Sequence, residues 1–272
     1  MAATEPHSDV PTASSVFERI VCGVDETPAS LEAVRRAARL RAPGGALHLI
    51  GVVYLAGAAA AGWAATRVAG ELERDAREAL DRASELAGPD ATSQLVNGPV
   101  ETSILAELER ERATLVVVGT HGRRRAAGIL LGGVATTMLH EARCSVLIAR
   151  PTPKPELFPQ SVVVGVDGSP ASLDAAAVAG EIRDRFGASL RVSVAAGGKP
   201  VDTDRLARAD LDLEWDDGEP VDALAAASAD ADLLVVGSRG LHGLSALGSV
   251  SERVAHQARC SVLVVRAQPP PN

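Results

Sequence analysis

The chain repeats itself, and that limits its architecture more than any other feature. RIVCGVDETPASLEAV at residues 19–34 returns as SVVVGVDGSPASLDAA at 161–176. GTHGRRRAAGILLGG, from Gly119 to Gly133 after the apolar run TLVVV, is echoed by GSRGLHGLSALGS, from Gly237 to Ser249 after DLLVV. EARCSVLIAR and QARCSVLVVR then close the two copies in the same order. Self-similarity at this scale predicts two copies of one structural unit. PTPKPELFPQ lies between them, and its prolines cannot donate to a central ladder. The expected division is a disordered tail at 1–16, domains at 17–150 and 161–267, a linker at 151–160 and a tail at 268–272.

Within the first copy, Val- and Ile-rich runs alternate with amphipathic segments. RIVCGV precedes a helix opened by Pro28; ALHLIGVVY precedes a long charged helix around GELERDAREALDRASELAG. SQLVNG, the helix PVETSILAELERERA, the run TLVVVG, a further helix and SVLIAR complete the unit. Apolar strands separated by helices predict an α/β fold with a parallel sheet covered on both faces. The interval between matching residues falls from 142 positions for Asp25 and Asp167 to 118 for Gly119 and Gly237 and 116 for Gly132 and Gly248. Leu47 and Leu190 are still 143 apart, so the large deletion follows the second strand. It removes the long helix, leaving at most DTDRLARA.

A formal charge of -8 and a pI near 5.3 argue against a sequence-independent grip on nucleic acid or anionic lipid. The start, MAATEPHSDVPTASS, has no secretory pattern, so a cytoplasmic location is expected. Leu49 to Thr66 is uncharged for 18 residues, but its second half is Ala and Gly, which favours a buried strand running into a loop over a membrane span. Cys22, Cys144 and Cys260 lack metal spacing and read as core residues. His140 and His256 match each other and are expected on solvated helix faces.

A glycine-rich turn between a parallel strand and a helix offers backbone N–H groups and a positive helix end to an anion. Ligands of open α/β sheets sit beyond the carboxyl ends of the strands, where strand order reverses. Asp25 and Asp167 end the first strand of each copy and the glycine loops leave the fourth, so one crevice would combine an acceptor for a base or ribose with donors for phosphates. The competing account makes the aspartates turn or capping residues and the glycines packing residues. P-loop, GxGxxG, GxSxG and HExxH motifs are absent, and no nucleophile–base pair is evident. Arg123, Arg124 and Arg125 fall inside the first loop, where guanidinium can pair with phosphate.

The GVD strand ends, the G-x2-G-x9-G-[ST] type loop and the CSVLIAR and CSVLVVR strands resemble the universal stress protein family in its tandem form. The resemblance covers nearly everything outside the tails and linker. It implies two doubly wound, five-stranded parallel sheets of order 3-2-1-4-5, Rossmann-like and related to adenine-nucleotide alpha-hydrolases, packed as an internal pseudo-dimer. Pairing of the fifth strands, Ser145 to Arg150 and Ser261 to Arg266, is expected at the joint, because each would otherwise be an exposed apolar edge. In one branch of the family ATP, with or without Mg2+, occupies the crevice. The resemblance then places Asp25 or Asp167 on the adenosine, the backbone of Val52 or Val194 on the adenine, and the loops on the phosphates. Those loops contribute Gly119, Gly122, Arg123, Gly132 and Gly133 in one half, and Gly237, Gly240, Gly248 and Ser249 in the other.

Other members bind no nucleotide and act through protein contacts. The expected function is accordingly an ATP-linked stress sensor or regulator, with an interaction module of degenerate sites as the alternative and slow ATP hydrolysis as a weaker one. A homodimer and an unidentified protein partner are compatible with each. Both halves depart from the motif: Gly133 stands where Ser or Thr is expected, and only seven residues separate Gly240 from Gly248. Losing one hydroxyl is a bounded deficit, whereas a shorter loop displaces several donors, so the first half is expected to be the better site. The missing helix is expected to open the second crevice further.

Overall fold

The computed structural model describes residues 16–55, 65–120, 131–152, 154–195, 197, 201–209, 211–238 and 249–267. In the first half, strands β1 (Arg19–Val24), β2 (Ala46–Val53), β3 (Ala91–Asn97), β4 (Leu115–Gly119) and β5 (Ser145–Ala149) alternate with helices α1 (Pro28–Leu40), α2 (Ala65–Ala87), α3 (Val100–Arg110) and α4 (Gly133–Glu141). The second half has β6 (Ser161–Gly165), β7 (Ser189–Ala195), β8 (Leu213–Asp216), β9 (Leu233–Gly237) and β10 (Ser261–Val265). Its helices are α5 (Pro170–Phe186), α6 (Thr203–Arg208), α7 (Pro220–Ala227) and α8 (Val250–Gln257). The six residues of α6 stand where the first half has the 23 of α2.

The repeated turn chemistry starts the same helix twice. Thr27 caps α1 by accepting from the Ser30 N–H at 3.2 Å, and Ser169 caps α5 by accepting from Ser172 at 3.3 Å. Proline follows each cap, where its missing N–H would have had no helical partner.

The strands form one sheet, β3-β2-β1-β4-β5-β10-β9-β6-β7-β8. Each half keeps the order 3-2-1-4-5 with parallel pairing, and β5 meets β10 antiparallel. Leu147 pairs with Leu263, its own counterpart 116 positions later, so a pseudo-twofold passes between them. The fifth strands therefore form the joint, as their apolar edges lead one to expect. β4, β5, β9 and β10 are buried almost throughout because helices cover both faces. One core packs under α1, α2 and α5, the other under α3, α4, α7 and α8, and both run through the joint. The three cysteines are buried and unpaired by disulfides.

Contacts outside the sheet lock the halves. Arg150 donates to the Ala255 carbonyl at 2.7 Å and the Cys260 carbonyl at 3.4 Å, capping α8 from the opposite half. Arg266 reciprocates on the Leu139 and Ala142 carbonyls at the end of α4. Burial pulls Arg150 down to about 10, which leaves it protonated at neutral pH. His140 and Glu252 meet across the same joint at 2.9 Å. The solvated face expected for His140 is thus corrected: it is largely buried, in an ion-pair position. The 151–160 connection is also held, since Arg36 donates to the Pro155 carbonyl and the Thr152 hydroxyl and stacks 3.9 Å from the Phe158 ring centroid.

Candidate functional site

At the carboxyl ends of β1, β2 and β4 lies a cavity of about 460 Å³. That is within the usual range of small-molecule sites, roughly 300–1,000 Å³. Strand order reverses here, β1 leading outward to β2 on one side and to β4 on the other. Ile50, Val52, Ile104 and Val118 supply much of its apolar wall, Asp25, Thr27 and Ser30 its polar side, and the half-exposed Tyr54 stands among the lining residues.

Asp25 is fixed rather than merely present. Its Oδ1 accepts the Thr27 N–H at 2.9 Å and the Thr27 hydroxyl at 2.5 Å, while its own N–H bonds the Ser30 hydroxyl at 2.9 Å. The cap is Thr27, so Asp25 supports the turn without being the capping residue. Among the described residues only Oδ1 is engaged, which leaves Oδ2 for a further donor.

The glycines of the first loop divide by what surrounds them. Gly119 ends β4 and lines the cavity, yet a Cβ there would approach the Ala29 carbonyl within 2.8 Å, so close packing on the first turn of α1 requires it. Gly132 donates to the Thr120 carbonyl at 2.7 Å and occupies the N-cap of α4. With no side chain to cap with, it leaves the leading N–H groups of α4 available to an acceptor. Among the described residues, Gly133 has only the Glu101 carboxylate near its missing Cβ, at 3.5 Å. Gly122, Arg123 and the neighbouring arginines lie outside the described residues, as do Gly240 and Gly248. The described lining includes the carboxylates of Asp25 and Glu26 and no lysine or arginine.

The second half differs at each corresponding point. Asp167 again holds its turn, accepting the Ser169 N–H at 3.0 Å, but its carbonyl also accepts the Asp202 N–H at 3.0 Å. Gly168, at φ +80°, leaves no room for a Cβ because the Asp202 backbone lies against it. Asp202, the N-cap of α6, therefore lies directly on the Asp167–Gly168 turn, where a more open crevice was expected; residues 239–248, which would face it, lie outside the described residues. Val194 is fully buried, whereas Val52 lines the first cavity. Gly237 packs on Ala171 as Gly119 does on Ala29. Ser249 caps α8 by accepting from the Glu252 N–H at 3.2 Å, so the hydroxyl that reads as a phosphate ligand also serves its own helix.

A sequence profile of the Universal stress protein family matches residues 17–150 and 198–266. The chain belongs to the universal stress protein family. Universal stress protein Rv2623 of Mycobacterium tuberculosis is 30% identical, the alignment covering 91% of this chain and 96% of the relative. Universal stress protein Rv2005c of the same organism is 34% identical over 69% of this chain and 74% of its own length. Among solved structures, a universal stress protein from Archaeoglobus fulgidus superposes with a TM-score of 0.71 at 19% identity, over 96% of this chain and 99% of that one. The profile leaves out residues 151–197. There, β6 and α5 still occupy the places of β1 and α1, so this universal stress protein has two family folds in one sheet.

What sequence reasoning missed were the contacts between halves. The arginines closing both IAR and VVR were visible as a repeated feature, but not the carbonyls they cap. No helix among the described residues is long and apolar enough to cross a membrane.

Proposed function

We propose that this universal stress protein binds an adenine nucleotide in its first half, ATP being the expected ligand with or without Mg2+, and acts in a stress response as a sensor or regulator. The observation that carries the reading is the cavity itself. It joins an apolar wall large enough for a base, an aspartate held with one carboxylate oxygen unengaged, and the uncapped start of α4. In the second half the Asp202 backbone lies against the turn that carries Asp167, which favours one nucleotide per chain.

The acidic lining sets a condition. ATP brings several negative charges to a site whose described residues add Asp25, Glu26 and the nearby Glu101. Helix N–H groups offset only part of this, so Arg123, Arg124 and Arg125 would have to neutralise the rest. The same acidity favours the second reading, an interaction module with a degenerate site.

Calorimetric titration of the purified chain with ATP distinguishes the two. The expected result is about one equivalent bound. Asp25→Ala should weaken it at least tenfold, consistent with losing a charge-assisted hydrogen bond of about 1.5–3 kcal/mol. Replacing the three arginines by Gln should weaken it and flatten its salt dependence. An unaltered chain that binds no nucleotide would leave the interaction module standing.

A further inference from the structure

On the other flank of the first half, below the last turn of α3, His48, Glu107 and Glu111 bring one ligand atom each within 4.8 Å of one another. His48 and Glu107 are buried and Glu111 is partly exposed. His48 lies opposite Thr92 in the β2–β3 ladder, and its Nδ1 is 2.8 Å from the Thr92 hydroxyl. With Nδ1–H donated there, the lone pair of Nε2 is presented on the opposite side of the ring. Nε2 is buried and makes no hydrogen bond, although Glu107 Oε1 is only 2.7 Å away. That is a buried ion-pair distance, and it sets an imidazole nitrogen and a carboxylate oxygen side by side at the same spot.

The resident cation is Arg110. Its Nε donates to Glu107 Oε2 at 2.9 Å, its Nη2 lies against Glu107 Oε1, and the same Nη2 reaches Glu111 Oε1 at 3.0 Å and Gln94 Oε1 at 3.0 Å. One guanidinium thus faces two carboxylates, an excess of one negative charge over the cation that holds them. A divalent ion would balance it. Arg110 is about half exposed and sits on the last residue of α3, so it can leave toward solvent without unpacking the core.

We propose that His48, Glu107 and Glu111 form a binding site for a divalent transition metal of the zinc type, with Arg110 as the side chain the metal displaces. An imidazole with two carboxylates is a donor set that such ions accept, at ligand bonds of about 2.0–2.2 Å. Ligand atoms in a tetrahedral shell lie about 3.4 Å apart by that geometry. The widest separation therefore contracts by little more than 1 Å, a movement within reach of the partly exposed Glu111 side chain, while Nε2 and Oε1, now 2.7 Å apart, open by about 0.7 Å. Three protein ligands leave a position open to water or a partner's ligand.

The test uses the full chain, freed of metal with a chelator and titrated with Zn2+ by calorimetry and with Co2+ by its visible absorption. One equivalent should bind with a tetrahedral or five-coordinate Co2+ spectrum. His48→Gln should weaken binding at least tenfold. Glu111→Gln, at the exposed end, should weaken it several-fold with the fold intact, which covers the case in which the His48 variant fails to fold. Arg110→Gln discriminates most sharply: a metal site loses its competitor and binds several-fold more tightly. Binding insensitive to His48 and Glu111, binding unchanged or weakened by Arg110→Gln, or no stoichiometric binding would each overturn the proposal and leave a buried ion-pair network. None of these outcomes depends on whether the chain binds ATP.

Discussion

A methyl group at Gly119 would press on the Ala29 carbonyl, and one at Gly237 would come closer still to Ala171. Each collision is with backbone, which cannot rotate away, so helix and strand must separate. Gly119→Ala and Gly237→Ala should each cost about 1–3 kcal/mol, the second more than the first, as read by urea denaturation. Gly133 is the opposite case: among the described residues its nearest neighbour is the movable end of Glu101 at 3.5 Å, and its φ is not in the left-handed region. Gly133→Ser should leave stability within about 0.5 kcal/mol. On the nucleotide reading it should tighten ATP binding up to about tenfold by returning a hydroxyl donor. The motif glycines were legible as a spacing, but their separate roles were not. Spacing records which positions need glycine without recording whether a ligand or a neighbouring helix makes the demand.

The elements that hold the halves together are α4, α8 and the strands between them, and their chemistry is reciprocal. Arg150 caps α8 and Arg266 caps α4, so each guanidinium satisfies carbonyls that a helix end leaves without partners. Arg150→Met or Arg266→Met would retain volume but strand those buried carbonyls, at about 2–5 kcal/mol each, summing the cost of about two orphaned acceptors. Thermal unfolding would check this, and a loss below 1 kcal/mol would mean that water replaces the cap. Titration of the joint is asymmetric. Burial lowers the pKa of His256, Arg150 and His140 lower it further, and Glu252 opposes them. The unfolded chain then binds the proton more readily than the folded one, so stability falls as pH drops below the ordinary value of about 6.5. His256→Gln should flatten the stability profile in that window, measured by denaturation between neutral and mildly acidic pH. Element order was readable from the alternation of Val-rich runs and charged helices, and strand order from the family resemblance. The caps were not, because they join residues more than a hundred positions apart, as Arg150 and Ala255 are.

At the scale of the whole molecule, the repeat alone does not decide whether the chain is two domains on a string or one body. Edge chemistry does: β5 and β10 are buried on both faces, and leaving either unpaired would expose a flat apolar ladder. Pairing them continues the sheet, and the cores on both faces follow it across, Leu147 and Ala149 joining Leu263 and Val265 in one cluster and Val146 and Ile148 joining Val262 and Val264 in the other. A half that unfolded alone would uncover this shared core and strand the carbonyls capped by its partner's arginine, so its loss would destabilise the other half by more than its own contacts. The free energy of the joint therefore belongs to both units at once. Scanning calorimetry should show a single transition whose calorimetric and van't Hoff enthalpies agree. Replacing Leu263 with Lys would bury a charge beside Leu147 on the pseudo-twofold, and should either split the transition or lower its midpoint by several degrees. Two resolved transitions in the unaltered chain would instead mean that the joint is weaker than either core, and that the halves are coupled through the sheet only loosely.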